Sequence, residues 1–278
     1  MPELPEVEVI MRGITPHLEG RRIERVLSSG LRLRLPVPMA KLQQLVAGAT
    51  VVEVGRRAKY GTILLDNGAL LVIHFGMTGK LGLFPAESGK ARHDHLCFQL
   101  SNGIEVRFND PRRFGSLQLF GPDDPEKDRF FQTLGPEPFS EYFAAGYLKK
   151  MAKKRKKPVK NFLMDGRVVA GIGNIYANEI LFAAGVSPFK EVGLISLSAW
   201  KSMIKETRRI LAQAIEAGGS TISDFVNSSG EKGYFQLSLK VYGRGGKACP
   251  ECGESIMKTV QAGRATYYCP GCQKGCAK

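Results

Sequence analysis

Tyr60-Gly-Thr-Ile-Leu-Leu-Asp-Asn-Gly-Ala-Leu-Leu-Val-Ile-His74 reads as two apolar runs joined at Asn67-Gly68. Asn-Gly is the favoured chemistry of a type I′ hairpin turn, in which both central residues take positive φ. The same dipeptide recurs at Asn102-Gly103, again between apolar or alternating runs. Together they predict successive strands from 51 to 120, folded as an antiparallel sandwich or barrel. Upstream, Leu4, Val7, Met11, Ile14 and Leu18 fall at helical spacing, with Pro5 tolerable in a first turn. That predicts a helix over 4–18, with Glu3 and Glu6 at the end where the helix dipole favours a negative charge. Leu31, Leu33 and Leu35 alternate with Arg32 and Arg34, which predicts a strand with one basic face.

Downstream of 120 the character changes. Gly121-Pro-Asp-Asp-Pro125 and Gly135-Pro-Glu-Pro138 punctuate the chain, and Lys149–Lys160 then carries eight basic residues in twelve. Such a run suits a solvated connector and equally one that tracks a phosphate backbone. The second half reads as helical. Asn174 is placed to cap a helix through Ile175, Ile180, Leu181 and Phe182 that stops at Gly185. Ser196 or Ser198 opens another, with Leu197, Trp200, Ile204, Leu211 and Ile215 on one face and Gly218-Gly219 at its end. Ser220–Gly233 follows as a polar, glycine-punctuated loop, long enough to suggest a function of its own.

The chain has 278 residues, with 40 Lys and Arg against 26 Asp and Glu, a formal net charge of +14. An excess of that size favours polyanionic partners, chiefly nucleic acid. No apolar run is long enough to span a membrane, and no basic amphipathic helix points to a membrane surface. The acidic opening lacks the basic region of a secretory signal, so a cytoplasmic protein is expected.

Four of the six cysteines form Cys249-Pro-Glu-Cys252 and Cys269-Pro-Gly-Cys272, with sixteen residues between the pairs. This is the spacing of a structural zinc site, and the intervening stretch suits a β-hairpin. One Zn²⁺ per chain is expected, leaving a net charge of about +12 once four thiolates are counted. Cys97 sits in an apolar run and reads as core; Cys276 reads as a spare thiol.

At the other end stands Pro2, followed by Glu3, Leu4, Pro5 and Glu6. Removal of Met1 would expose a secondary amine beside carboxylates. An α-amino group has a pKa of roughly 7.7–8.0, so part of it is already unprotonated and nucleophilic near neutrality. An iminium formed on proline has no N–H to lose and stays cationic. Many chains begin Met-Pro for no catalytic reason, so these residues alone leave the matter open.

Six blocks in order bear on it. Pro2–Glu6, Arg57-Ala-Lys-Tyr60, His93-Asp-His95, Asp110-Pro-Arg-Arg-Phe-Gly115, Val169–Ala177 and the paired cysteines together resemble the formamidopyrimidine-DNA glycosylases, over essentially the whole chain. The resemblance implies a multidomain α+β protein: an N-terminal helix with an antiparallel β-sandwich, a helix–two-turn–helix domain, and a C-terminal zinc-finger β-hairpin. The domain bounds expected here are 1–134, a basic linker 135–160, 161–246 and 247–278. It implies excision of oxidised purines (8-oxoguanine opposite cytosine, formamidopyrimidines) through a Schiff base on Pro2, followed by β- and δ-elimination. Glu3 matches the family's general acid/base and Glu6 a supporting carboxylate. Lys59 matches a lysine assigned to sugar or phosphate contact and proton donation, and Arg264 an arginine credited with phosphate contact and δ-elimination. His93, Arg112 and Arg155 match DNA-contact positions, Lys160 a lysine near the lesion, and Asn174 the helix–two-turn–helix asparagine. Met77, Arg112 and Phe114 match the residues that fill the gap left by an extruded nucleotide, and the loop from Ser220 to Tyr234 a lid over the flipped base. The implied partner is double-stranded DNA carrying oxidised purines or abasic sites, bound by a monomer in the bacterial cytoplasm and at the nucleoid.

Three alternatives remain beside this reading. Endonuclease VIII, a related lyase for oxidised pyrimidines, typically has glycine where Leu4 stands. A non-catalytic zinc-ribbon DNA-binding protein suits the charge and finger but has no use for Pro2-Glu3. A lesion sensor without activity would not need Pro2, Glu3, Lys59 and Arg264 together.

Overall fold

Residues 1–218 and 239–273 are described by the computed structural model of the chain. They form two units, Met1–Phe131, and Gln132–Ala217 with the described residues after 238. The first unit opens with α1 (Leu4–Leu18), β1 (Ile23–Ser28) and α2 (Met39–Leu45). Strands β2 (Val51–Arg57), β3 (Tyr60–Leu65), β4 (Leu70–His74), β5 (Lys80–Pro85), β6 (Asp94–Leu100), β7 (Ile104–Asn109) and β8 (Ser116–Phe120) follow, and then α3 (Pro125–Gln132). The strands make two four-stranded antiparallel sheets, ordered β1-β6-β7-β5 and β2-β3-β4-β8. Ile63, Leu71 and Leu117 of one sheet join Leu81, Phe98 and Phe108 of the other in a single buried cluster, so the unit is a sandwich. The predicted face of α1 is buried in the same cluster through Val7, Met11, Ile14 and Leu18.

Both Asn-Gly hairpins form, but with a different turn from the one predicted. Gly68 and Gly103 alone take positive φ (+80° and +77°), while Asn67 and Asn102 do not. The Leu65 and Leu100 carbonyls accept from the Gly68 and Gly103 N–H groups at 2.9 and 3.1 Å. Each loop is therefore a three-residue type I turn closed by a left-handed glycine. The asparagines serve through their side chains, whose Oδ1 atoms accept from the N–H groups of Ala69 and Ile104.

No strand forms at 31–36. β1 ends at Ser28, and Gly30, at φ +75°, turns the chain off the sheet before two prolines remove donors. Leu33 is buried, Leu31 and Leu35 are exposed, and the Arg34 N–H donates to the Gly115 carbonyl at 2.9 Å. Cys97 is core, as expected, and burial, with the Glu105 and Asp94 carboxylates adding, pushes its thiol up to about 11.

The second unit contains α4 (Ala145–Ala152), α5 (Val159–Leu163), α6 (Asn174–Ala183), α7 (Leu197–Glu216) and the hairpin β9 (Met257–Gln261) and β10 (Arg264–Tyr268). The basic run is not uniform. Its ends lie in α4 and α5, and Lys153–Lys157 between them is exposed. Ser196 caps α7, its Oγ accepting from the Ala199 N–H at 3.1 Å. Gly185 ends α6 at φ +65°, with the Val186 N–H donating to the Leu181 carbonyl in a Schellman arrangement. The N-terminus of α6 departs from expectation: Gly173 is the cap and Asn174 the first helical residue. Its amide donates instead to the Ala265 carbonyl at 3.0 Å, a partner 91 residues away that helix periodicity cannot reveal. No helix among the described residues is long and apolar enough to cross a membrane.

Candidate functional site

The N-terminus is built as a helix cap. Glu3 is the N-cap of α1, its carboxylate accepting the Glu6 N–H, while Glu6 Oε2 accepts the Glu3 N–H at 2.8 Å. This capping box uses glutamate where serine or threonine is usual. Both carboxylates are only 3% exposed. The box fixes the backbone just after Pro2. Pro2 itself is half-buried, and its nitrogen is an amide until Met1 is removed.

Lys59 sits in the two-residue turn between β2 and β3, where Arg57 pairs with Tyr60. Ala58, the other turn residue, is buried and takes φ +56°. Arg56 braces this turn, donating to Glu8 Oε2 at 2.8 Å and to the Ala58 carbonyl at 2.9 Å. Burial alone would raise the Glu8 carboxyl, but hydrogen bonds from Arg56 and Arg12 outweigh it and hold the group below its usual range. Met11 lies against Gly61, where a Cβ would clash with its sulfur. α1 runs antiparallel to β2: beyond its C-terminal end the Gly20 N–H donates to the Val51 carbonyl and Glu19 Oε1 accepts the Val54 N–H, whereas Glu8, nearer its start, meets Arg56 beside the turn. The start of α1, with Glu3 and Glu6, lies at the same end of the unit as Lys59.

The sequence reading missed His74, the last residue of β4, which pairs with Tyr60 and packs tilted against its ring at a centroid distance of 5.1 Å. Burial, with Arg34 and Lys59 adding, lowers its pKa to about 4. The neutral ring accepts the Gly76 N–H on Nδ1 at 3.1 Å, which leaves Nε2 as the protonated donor. Its signal in the sequence was a lone polar residue closing an apolar strand, which is weak.

Met77 and Phe114 are exposed apolar side chains, at 43% and 47%, on the loops after β4 and before β8. The Arg112 guanidinium lies 4.6 Å from the Phe114 ring centroid, so these two share one surface. His93 is half-buried, and its ring lies 6.2 Å from that of His95. His95 is interior: Nδ1 meets Ser29 Oγ at 3.0 Å and Nε2 meets the Asp110 carbonyl at 3.1 Å. The pair does not form a metal site.

In the second unit Lys160 is fully buried, donating to the Ala265 carbonyl at 3.0 Å and to Thr266 Oγ1 at 2.8 Å. Asn174 donates to the same carbonyl, and Asn178 Oδ1 accepts the Tyr267 N–H at 2.8 Å. Side chains of α5 and α6 thus hold β10 by its backbone, next to Arg264 at its first position. Arg264 is exposed and follows a tight turn in which Ala262 and Gly263 both take positive φ, +49° and +72°. That is the type I′ geometry expected elsewhere, and an alanine hid it. Arg155 is exposed, its guanidinium 6.0 Å from the Phe162 ring centroid. Glu179 was also missed. It is buried on α6 and accepts the N–H groups of Lys240, Val241 and Tyr242 at 2.8–3.0 Å. Its signal was a polar pair, Asn178-Glu179, inside an apolar helix. The expected lid around Ser220, and Cys276, lie outside the described residues.

The thiolates of Cys249, Cys252, Cys269 and Cys272 lie within 4.8 Å of one another, the one such cluster among the described residues. Sγ separations of 3.8 Å (Cys249–Cys272) and 3.4 Å (Cys252–Cys269) are too long for disulfides. They suit a tetrahedron around zinc, whose edge is about 3.8 Å for Zn–S bonds of about 2.3 Å. These four cysteines hold one structural zinc ion.

The chain matches the formamidopyrimidine-DNA glycosylase N-terminal domain over residues 1–117, the H2TH domain of the same enzymes over 134–226, and the zinc finger found in FPG and IleRS over 246–275. It is 44% identical to a formamidopyrimidine-DNA glycosylase of Xanthomonas oryzae over 99% of this chain and 100% of that one. It is 46% identical to that of Hahella chejuensis with the same coverage. Among solved structures it resembles a point mutant of the Lactococcus lactis FPG in complex with a Fapy-dG containing DNA, with a TM-score of 0.89 and 32% identity over 98% of this chain and 100% of that one. It also resembles the wild-type L. lactis protein in complex with an oxidized pyrimidine containing DNA, with a TM-score of 0.88 and 31% identity at the same coverage. With three matched domains in order and relatives similar from end to end, the chain belongs to the formamidopyrimidine-DNA glycosylase family.

Proposed function

We propose that the chain is a bifunctional DNA glycosylase and abasic-site lyase acting on oxidised purines in duplex DNA. The observation that carries the reading is the buried Glu3–Glu6 capping box. It anchors the residue that becomes the N-terminus beside a carboxylate, at the end of the unit where Lys59 stands. After removal of Met1, the Pro2 amine attacks C1′ of the lesion nucleotide and the C1′–N bond breaks. Glu3 handles the proton as the sugar ring opens to a cationic Schiff base. The iminium acidifies the C2′ proton. Its removal expels the 3′ phosphate by β-elimination, and a second elimination expels the 5′ phosphate.

Lys59 supplies a cation and a proton to the first elimination, and Arg264 holds phosphate for the second. The neutral His74 donates through Nε2 to a backbone phosphate. Met77, Arg112 and Phe114 fill the space vacated by the flipped nucleotide, offsetting an unstacking cost of a few kcal/mol. Zinc takes no part in the chemistry; it holds the hairpin that bears Arg264.

A preference for oxidised pyrimidines is the second reading, favoured by the solved complex of the wild-type L. lactis relative with such DNA. Single-turnover incision of two matched duplexes separates them, one with 8-oxoguanine opposite cytosine and one with an oxidised pyrimidine. Faster cutting of the purine duplex, leaving phosphate at both ends of the gap, is expected. Equal or faster cutting of the pyrimidine duplex would overturn the substrate assignment, and a product lacking the second elimination would overturn the role of Arg264.

A further inference from the structure

Asp110 is fully buried, yet no ion pair reaches it among the described residues. An unpaired carboxylate costs several kcal/mol to bury unless hydrogen bonds replace its water. The bonds of its two carboxylate oxygens go to loop backbone and to Thr78, while its backbone carbonyl also meets His95 Nε2 at 3.1 Å. Oδ1 accepts from Thr78 Oγ1 at 2.5 Å and Oδ2 from the Gly115 N–H at 2.7 Å. Its carbonyl accepts from the Arg113 N–H at 3.1 Å, and its own N–H donates to the His93 carbonyl at 3.0 Å. Thr78 Oγ1 in turn accepts the Arg112 N–H at 3.3 Å. One carboxylate therefore ties the loop bearing Met77 to the loop bearing Arg112 and Phe114.

The loops meet too closely to be held by packing of ordinary side chains. A Cβ on Gly76 would clash with the Phe114 carbonyl carbon and lie 2.5 Å from the Gly115 nitrogen, and one on Gly115 would lie 2.6 Å from the Phe108 ring. Arg113 takes φ +57°, a conformation costing about 1–2 kcal/mol for a non-glycine residue. Met77 and Phe114, being exposed, have little packing of their own to fix them.

We propose that Asp110 and Thr78 are positioning residues that hold Met77, Arg112 and Phe114 as one set, ready to enter the duplex as the lesion leaves it. The inference rests on the void-filling role given to those three side chains above. It separates eviction of a base from the chemistry at Pro2, and two substrates test it. One is a duplex with 8-oxoguanine opposite cytosine, scored by single-turnover excision. The other is a single-stranded abasic oligonucleotide, scored by borohydride trapping, which has no stack to open. On the duplex, Asp110→Ala is expected to slow excision about 100-fold and Thr78→Val about tenfold, the scale of loss from misplacing groups by about 1 Å. Trapping on the single strand stays at the wild-type rate for both. Asp110→Asn restores most of the duplex rate, because its amide can still accept from Gly115 and bond Thr78. A parallel fall on both substrates would reduce Asp110 to a fold-stabilising residue and overturn the proposal, as would wild-type rates on the duplex. Failure of the wild-type protein on both substrates would instead remove the glycosylase reading beneath it.

Discussion

Glu3, Glu6 and Lys59 stand on a sandwich whose apolar cluster runs from Val7 to Leu119, whereas Arg264 stands on a two-stranded hairpin. Among the described residues, the buried apolar cluster behind the finger is small: Phe182, Val241, Cys249, Ile256 and Cys269. Burial of hydrocarbon fixes the first region. Zinc, with the side chains of α5 and α6, fixes the second. The difference teaches that precise placement does not require a core of its own. Where the chain is too short to bury one, a metal and a few buried polar contacts substitute, and the cost is sensitivity to single atoms.

Removing zinc breaks the comparison most sharply. Chelation, or Cys252→Ser, removes a metal-binding free energy on the order of 10 kcal/mol from the finger. Amide exchange in β9 and β10 should become unprotected while β6 and β7 keep their protection. Leu71→Ala makes the converse cut, since this side chain is completely buried in the sandwich. A loss of about 2–5 kcal/mol is expected in thermal or urea unfolding of the first unit, with exchange in the finger unchanged.

His74 gives the sandwich a pH limit of its own. Its folded pKa of about 4 lies below the ordinary 6.5, so between those values the unfolded chain takes up a proton the folded one refuses. The stabilisation is complete above pH 6.5 and is lost as pH falls toward 4, by about 3 kcal/mol in all. Urea titrations across that window should show the slope, and His74→Gln should flatten it. Lys160→Met has the smallest expected effect. It leaves the Asn174 bond to Ala265 in place but strips the lysine donor from that carbonyl and from Thr266, costing about 1–3 kcal/mol. The mark of a local effect would be a drop in second-elimination product relative to first, with base excision preserved.

The sequence disclosed much of what depends on local pattern, though not the type of turn at Asn67-Gly68 and Asn102-Gly103. α1 has its predicted bounds, the Asn-Gly sites are hairpins, and the cysteine pairs close on one another. Details that depend on a distant partner were not legible. Asn174 looked like a cap because asparagine caps helices; its amide is taken by Ala265, 91 residues on. Leu31, Leu33 and Leu35 looked like a strand, but alternation cannot say whether a neighbouring edge is available. His74 and Glu179 belong to no motif, and Asp110 opens the block Asp110–Gly115 without any sign there of the role its side chain plays. Each matters through what surrounds it: two cations and a tyrosine ring, a pair of loops, and three backbone N–H groups entering the finger. The type I′ turn at Ala262-Gly263 escaped notice because tertiary structure there outweighs the reluctance of alanine toward positive φ.

The identity of the nucleophile is the claim on which the rest depends. Protein freed of Met1 is incubated with a duplex containing 8-oxoguanine opposite cytosine, reduced with borohydride, digested, and the DNA-bearing peptide sequenced by mass spectrometry. A single adduct on the nitrogen of Pro2 is expected, absent when Met1 is retained and severely reduced in Pro2→Gly. An adduct on the Lys59 side chain, or none while the duplex is still bound tightly, would contradict the mechanism.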